Sequence, residues 1–92
     1  MSLLDDLEIR RRLDQISGWT RDGDSIRKTY TLDSFPEAIA FVNRIAELAE
    51  RANHHPDIDV RYDRVGCTLS THSEGGLTAK DFDLAVQIDA AH

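Results

Sequence analysis

Ser34-Phe35-Pro36-Glu37-Ala38-Ile39-Ala40-Phe41-Val42-Asn43-Arg44-Ile45-Ala46-Glu47-Leu48-Ala49-Glu50-Arg51-Ala52 is the stretch that decides the fold. Phe35, Ala38, Ile39, Val42, Ile45, Ala46, Ala49 and Ala52 recur at spacings of three and four. That period predicts one amphipathic helix over 35–52. Ser34 followed three residues later by Glu37 has the capping-box pattern, and Pro36 falls in the first turn, where its missing N–H costs nothing. Glu47 and Arg51 are spaced to pair on the outer face. Pro56 ends the run, because the residue before a proline is pushed out of the helical region.

Upstream, Trp19 to Leu32 reads as a hairpin around Asp22-Gly23. Ile26, Lys28, Tyr30 and Leu32 alternate with Arg27, Thr29 and Thr31, the period of a strand. Lys28 on the apolar side marks a face that is not uniformly buried. Residues 3–16 carry a weaker helical pattern, with Leu4, Leu7, Leu13 and Ile16 near one face, Ser2 as N-cap and Gly18 as the stop. Downstream, Ile58, Val60 and Tyr62 alternate with Asp59, Arg61 and Asp63. Cys67, Leu69 and Thr71 then alternate with Thr68, Ser70 and His72, with a turn near Asp63-Arg64 between the two runs. Ser73-Glu74-Gly75-Gly76 is a loop by composition. A last helix starts at Thr78, with Asp81 at the capping-box position, Leu77 placed to staple onto Phe82, and Phe82, Ala85, Val86 and Ile88 inside. The order α-β-β-α-β-β-α predicts an α+β domain, a four-stranded antiparallel sheet with three helices packed on one face.

The chain has 92 residues, 40% hydrophobic and 30% charged, which suits one small folded domain. A domain of this size is marginal alone, and oligomerisation is a common remedy. The formal net charge of −6 argues against direct nucleic-acid binding. The one basic run, Arg10-Arg11-Arg12, is flanked by Glu8 and Asp14 and reads as a solvated helix face. With Cys67 alone no intrachain disulfide can form, which fits a reducing cytoplasm. No apolar run is long enough for a membrane span, and the N-terminus, with its dispersed charges, does not read as a signal peptide.

The residues able to carry chemistry are the histidines. His54 and His55 are adjacent at the end of the long helix, and His72 closes a strand. Histidine exchanges protons near neutral pH, so an acid–base site is one reading. The other is structural: His54 and His55 can cap a helix C-terminus. Metal binding lacks support, because adjacent histidines diverge on a helix and no ligand-spaced motif accompanies them. Asp81 serves as a capping residue, or also borders a cleft between the last helix and the His72 loop. Glu50, one turn before His54, orients a histidine or simply faces solvent. Cys67 reads as a small core residue. Ser70, Thr71 and Ser73 lack the nucleophile elbow of a covalent hydrolase.

Glu50-Arg51-Ala52-Asn53-His54-His55-Pro56, followed by Tyr62, Val65, Leu69-Ser70-Thr71-His72, Gly76-Leu77-Thr78 and Asp81, resembles the pterin-4a-carbinolamine dehydratase family. The similarity reaches upstream to Gly18-Trp19 and covers nearly the whole chain. It implies the same α+β fold in a homodimer or homotetramer. It also implies dehydration of 4a-hydroxytetrahydropterin to quinonoid dihydropterin with no metal or organic cofactor. His54, His55 and His72 are then the catalytic set, and Glu50, Pro56 and Asp81 are substrate-binding positions. The alternative implied by the same fold is a protein-binding module, a dimerisation or assembly cofactor. Asn53 stands where some members have Asp, and Ile58 where some have an aromatic.

Overall fold

The computed structural model describes residues 2–92. The elements are α1 (Asp6–Leu13), β1 (Thr20–Asp22), β2 (Ser25–Thr31), α2 (Phe35–Ala52), β3 (Asp57–Arg61), β4 (Arg64–Leu69), a 3-10 turn (His72–Glu74) and α3 (Ala79–Ala91). The strands form one antiparallel sheet in the order β1-β2-β4-β3, as the α-β-β-α-β-β-α reading expects.

Alternation along the strands divides the sheet into two chemically distinct faces. Ile26 and Tyr30 of β2 and Val65, Cys67 and Leu69 of β4 are buried against the helices. Ser25, Arg27, Thr29, Thr68 and Asp59 occupy the opposite, polar face. There Arg27 reaches across β4 to Asp59 at 2.9 Å and to Thr68 Oγ1 at 2.9 Å. Gly66 leaves room for that crossing, since a Cβ there would lie 2.4 Å from the Arg27 guanidinium.

Helix α2 supplies the centre of the core through Ala38, Phe41, Ile45 and Ala49. Each fully buried large side chain of this kind contributes about 1.5–3 kcal/mol. The buried stripe is rotated from the expected one. Phe41 lies inside, whereas Phe35 and Ile39 are 47% and 38% exposed. Ser34 Oγ accepts the Glu37 N–H at 3.2 Å, as its spacing predicted. Glu47 and Arg51 are both exposed, and the ion pair expected between them is not formed among the described residues.

Several boundaries differ from the sequence reading. Helix α1 is capped by Asp5, whose carboxylate accepts the Glu8 N–H at 2.8 Å, rather than by Ser2. Leu4 instead donates its N–H to the Leu77 carbonyl at 2.9 Å, so the chain before α1 is tied to the α3 approach. Ile9 is the buried residue of α1, and Leu7 is 67% exposed. The two-residue turns are Gly23-Asp24 and Tyr62-Asp63, each one position away from the expected pair. In α3 Leu84 is buried while Val86 is 54% exposed.

Lys28 on the apolar side has a specific cause. Its ammonium donates to Asp89 Oδ1 and to the Ser17 carbonyl, each at 2.8 Å. Trp19 Nε1 and Tyr30 Oη donate to the same Asp89 carboxylate. One carboxylate near the end of α3 thereby ties that helix to β2 and to the start of the hairpin.

Candidate active site

The site begins where α2 ends. Asn53 takes a left-handed conformation (φ 50°, ψ 44°), its N–H turning back to the Ala49 and Glu50 carbonyls. The His54 N–H closes on the Ala49 carbonyl at 3.1 Å. These paired bonds are a Schellman closure, in which asparagine takes the place usually held by glycine. The helix is therefore stopped by Asn53, three residues before Pro56, and the reversal folds His54 inward while His55 remains exposed.

His54 meets Asp81 beneath the surface, its Nε2 lying 2.6 Å from Asp81 Oδ1. Asp81 has no exposed surface. Its Oδ2 accepts the Thr71 hydroxyl at 2.8 Å and the Thr78 backbone N–H at 2.9 Å. Thr71 Oγ1 lies 2.8 Å from Thr78 Oγ1, which accepts the Lys80 N–H at 3.3 Å. Each hydroxyl has one proton. Thr71 gives its proton to Asp81, so Thr78 donates to Thr71, and every bond of the chain runs towards the carboxylate. With Asp81 ionised, His54 donates from Nε2 and Nδ1 is the ring nitrogen outside this bond. Asp81 therefore completes the capping box of α3 with Thr78 and also orients His54.

His55 has a looser partner. Its Nε2 pairs with Glu50, with the two side chains 60% and 77% exposed. His72 lies on the 3-10 turn rather than on a strand, because the chain leaves the sheet after Leu69 and is held by a bridge between Thr71 and Gly76. All three histidines line one open cavity of about 350 Å³. Asn53, Ser70, Thr71, Ser73 and Lys80 complete its wall. A second cavity of about 350 Å³, with Asp22, Asp24 and Asp57 in its wall, shares Ser70 and His72 with the first.

Of the other expected site residues, none lines the histidine cavity. Asp81 is bonded to His54 and Glu50 to His55, and Pro56 follows His55 in the chain outside the cavity wall. Lys80 was missed by the sequence reading. Its signal was its place two residues after the Thr78 cap, where a helix N-terminus faces the His72 loop. Among the described residues no group of three or more His, Cys, Asp and Glu is arranged to hold a metal ion. Cys67 lies in the core, where burial and then the nearby Asp59 push its thiol pKa up to about 12.

The sequence matches the family model described as pterin 4 alpha carbinolamine dehydratase over residues 2–91. A protein of Roseiflexus castenholzii named "Putative pterin-4-alpha-carbinolamine dehydratase" is 62% identical over 88 residues, 96% of this chain and 95% of the relative. A protein of the same name from Nocardia farcinica is 59% identical over 87 residues, 95% of this chain and 92% of the relative. The fold superposes on a Brucella melitensis structure described as a transcriptional coactivator/pterin dehydratase, with a TM-score of 0.92, 32% identity and 96% of each chain covered. It also shares its fold with a pterin dehydratase-like RuBisCO assembly factor of the alpha-carboxysome, at a TM-score of 0.65 and 23% identity, covering 79% of this chain and 84% of the other. The chain belongs to the pterin 4 alpha carbinolamine dehydratase family.

Proposed function

We propose that this member of the family dehydrates 4a-hydroxytetrahydropterin to quinonoid dihydropterin, using His54, His55 and His72. The observation that carries the reading is their convergence on one cavity, with His54 fixed by a fully buried carboxylate. In the reaction the C4a–O bond breaks with its electron pair on oxygen, which takes a proton and leaves as water. The N5–H proton goes to a base, and its bond pair forms the C4a–N5 double bond. One proton is given and one is taken, so the set of histidines returns to its starting state. His54 and His72 exchange these protons and His55 helps to hold the pterin. Positioned acid–base groups of this kind contribute roughly 10²–10⁴-fold each. Glu50 and Asp81 act through the histidines they contact, and Pro56 holds the turn beside them. The reaction needs no metal or organic cofactor, and the pterin is the substrate.

The working form is a cytoplasmic homodimer or homotetramer. The small size of the domain and the exposed Phe35 and Ile39 on α2 support self-association. A second reading, an assembly or dimerisation cofactor, draws on those same exposed residues and on the description of the Brucella relative. A partner retained by a variant lacking all three histidines would support it. The dehydratase reading is tested by following loss of the 4a-carbinolamine with purified protein. Acceleration that weakens in His54→Ala, His55→Ala and His72→Ala supports it, and a rate equal to buffer contradicts it.

A further inference from the structure

Among the described residues, Lys80 is the one permanent cation in the wall of the histidine cavity, and that wall holds no carboxylate. The adjoining cavity is its opposite, with Asp22, Asp24 and Asp57 in the wall and no lysine or arginine. In a chain of net charge −6, a cavity lined by a cation and no acid runs against the overall balance.

Nothing within the chain claims that ammonium. Among the described residues it forms no ion pair. The acids close to it in the sequence are placed elsewhere. Asp81 is occupied by His54, Thr71 and Thr78. Asp83 lines a separate cavity with Arg12 and Phe82. Lys80 is nonetheless half-buried and well anchored, its N–H donating to Thr78 Oγ1 at 3.3 Å in the first turn of α3. A cation in a first turn opposes the positive end of the helix dipole. A residue that breaks a local rule with no local compensation is expected at functional positions.

An ammonium has three donors and no acceptor, so its partner on a ligand is an acceptor. On the proposed substrate the C4 carbonyl oxygen meets that need. C4 is bonded to C4a, so its oxygen shares one edge of the ring with the 4a-hydroxyl and N5, the groups the histidines must reach. N1, the other ring acceptor, is on the opposite edge, and the 2-amino group and N3–H are donors. A ring seated with C4a and N5 at the histidines therefore brings the C4 oxygen into the same cavity as Lys80. The carbonyl is the same in substrate and product. A bond to it holds ground state and transition state alike, and its loss is read in KM rather than kcat.

We propose that the Lys80 ammonium donates to the C4 carbonyl oxygen of the pterin and selects a ring with oxygen at C4 over one with an amino group there. The inference takes the pterin from the dehydratase reading but does not depend on turnover.

Equilibrium binding of two rings tests it: 7,8-dihydropterin, and its 2,4-diamino counterpart, which has an amino donor in place of the C4 oxygen. Wild type is expected to prefer dihydropterin. Lys80→Gln should weaken dihydropterin about tenfold or more, as the loss of a charged hydrogen bond does, and should leave the diamino ring unchanged or slightly tighter. Lys80→Arg keeps a charged donor and should keep the preference. In turnover, KM for the 4a-carbinolamine should rise in Lys80→Gln by about the same factor, with kcat within about threefold. Equal weakening of both rings, weakening of neither, or a loss confined to kcat overturns the assignment. Wild type separates the two readings. A protein that prefers dihydropterin but does not turn over the carbinolamine sinks the dehydratase reading and leaves Lys80 in place. One that turns it over with no preference between the rings sinks the Lys80 assignment alone, and one that binds neither ring overturns both.

Discussion

Asp81 and His54 are joined by a 2.6 Å hydrogen bond in which the carboxylate is wholly buried and the histidine faces a cavity. The same carboxylate caps α3. A residue that starts a helix thus also holds one ring nitrogen of a histidine, so the position of α3 and the orientation of His54 cannot vary independently.

Asp81→Asn separates those roles. The amide oxygen can still accept both the Thr78 N–H and the Thr71 hydroxyl at the Oδ2 position, but the amide nitrogen, a donor, then faces His54 Nε2. Turnover is expected to fall about 10²–10⁴-fold. Asp81→Ala also removes the cap and leaves buried donors without an acceptor, a further cost of about 1–3 kcal/mol of stability. Steady-state rates and urea titrations on both variants distinguish the two effects.

Glu50→Gln is expected to matter much less. The Glu50–His55 pair is more than half exposed on both sides, and exposed ion pairs are worth roughly 0–1 kcal/mol, about fivefold at most. A loss from Glu50→Gln as large as that from Asp81→Asn would show that His55, rather than His54, carries the chemistry.

Asn53 is tested through its backbone. Asn53→Gly keeps the left-handed turn and should leave stability within a few tenths of a kcal/mol, whereas Asn53→Val should cost about 1–2 kcal/mol. Because the same turn folds His54 inward, Asn53→Val should also reduce turnover beyond what partial unfolding explains, measured at a temperature where both variants are fully folded.

Stability should decline on the alkaline side. Cys67 has its pKa raised from 9.0 to about 12 by burial, with Asp59 adding to the effect. Tyr30 is raised from 10.0 in the same direction, by burial first and then by its bond to Asp89. Both groups ionise more readily unfolded than folded, so their contribution is complete below the unfolded values and is lost as pH rises towards the folded ones. Urea midpoints should therefore fall from about pH 9 upwards, and Cys67→Ala should flatten part of that slope. The same burial keeps Cys67 unreactive to alkylation until the protein unfolds.

The fold was legible because its strongest signals were local. The period of 35–52, a hairpin turn at Gly23, though one position along from the expected pair, and the Thr78–Asp81 cap each follow from a few neighbouring residues. What depends on distant partners was not legible. Phe41 displaced Phe35 from the buried stripe because of what α2 meets in the sheet. Lys28 looked anomalous until Asp89, 61 residues away, supplied its acceptor. At the site, the histidines stood out by residue type, and resemblance rather than spacing grouped them. The depth of Asp81, the approach of Lys80 and the one-sided exposure of the His54-His55 pair come from the left-handed turn at Asn53 and from the bridge between Thr71 and Gly76.

The central claim is most directly tested by the rate at which purified protein consumes 4a-hydroxytetrahydropterin, compared across wild type, His54→Ala and His72→Ala at matched folded concentrations. The account predicts acceleration over buffer by wild type and a loss of roughly 10²-fold or more in each variant. Wild type no faster than buffer, or variants as fast as wild type, would contradict it.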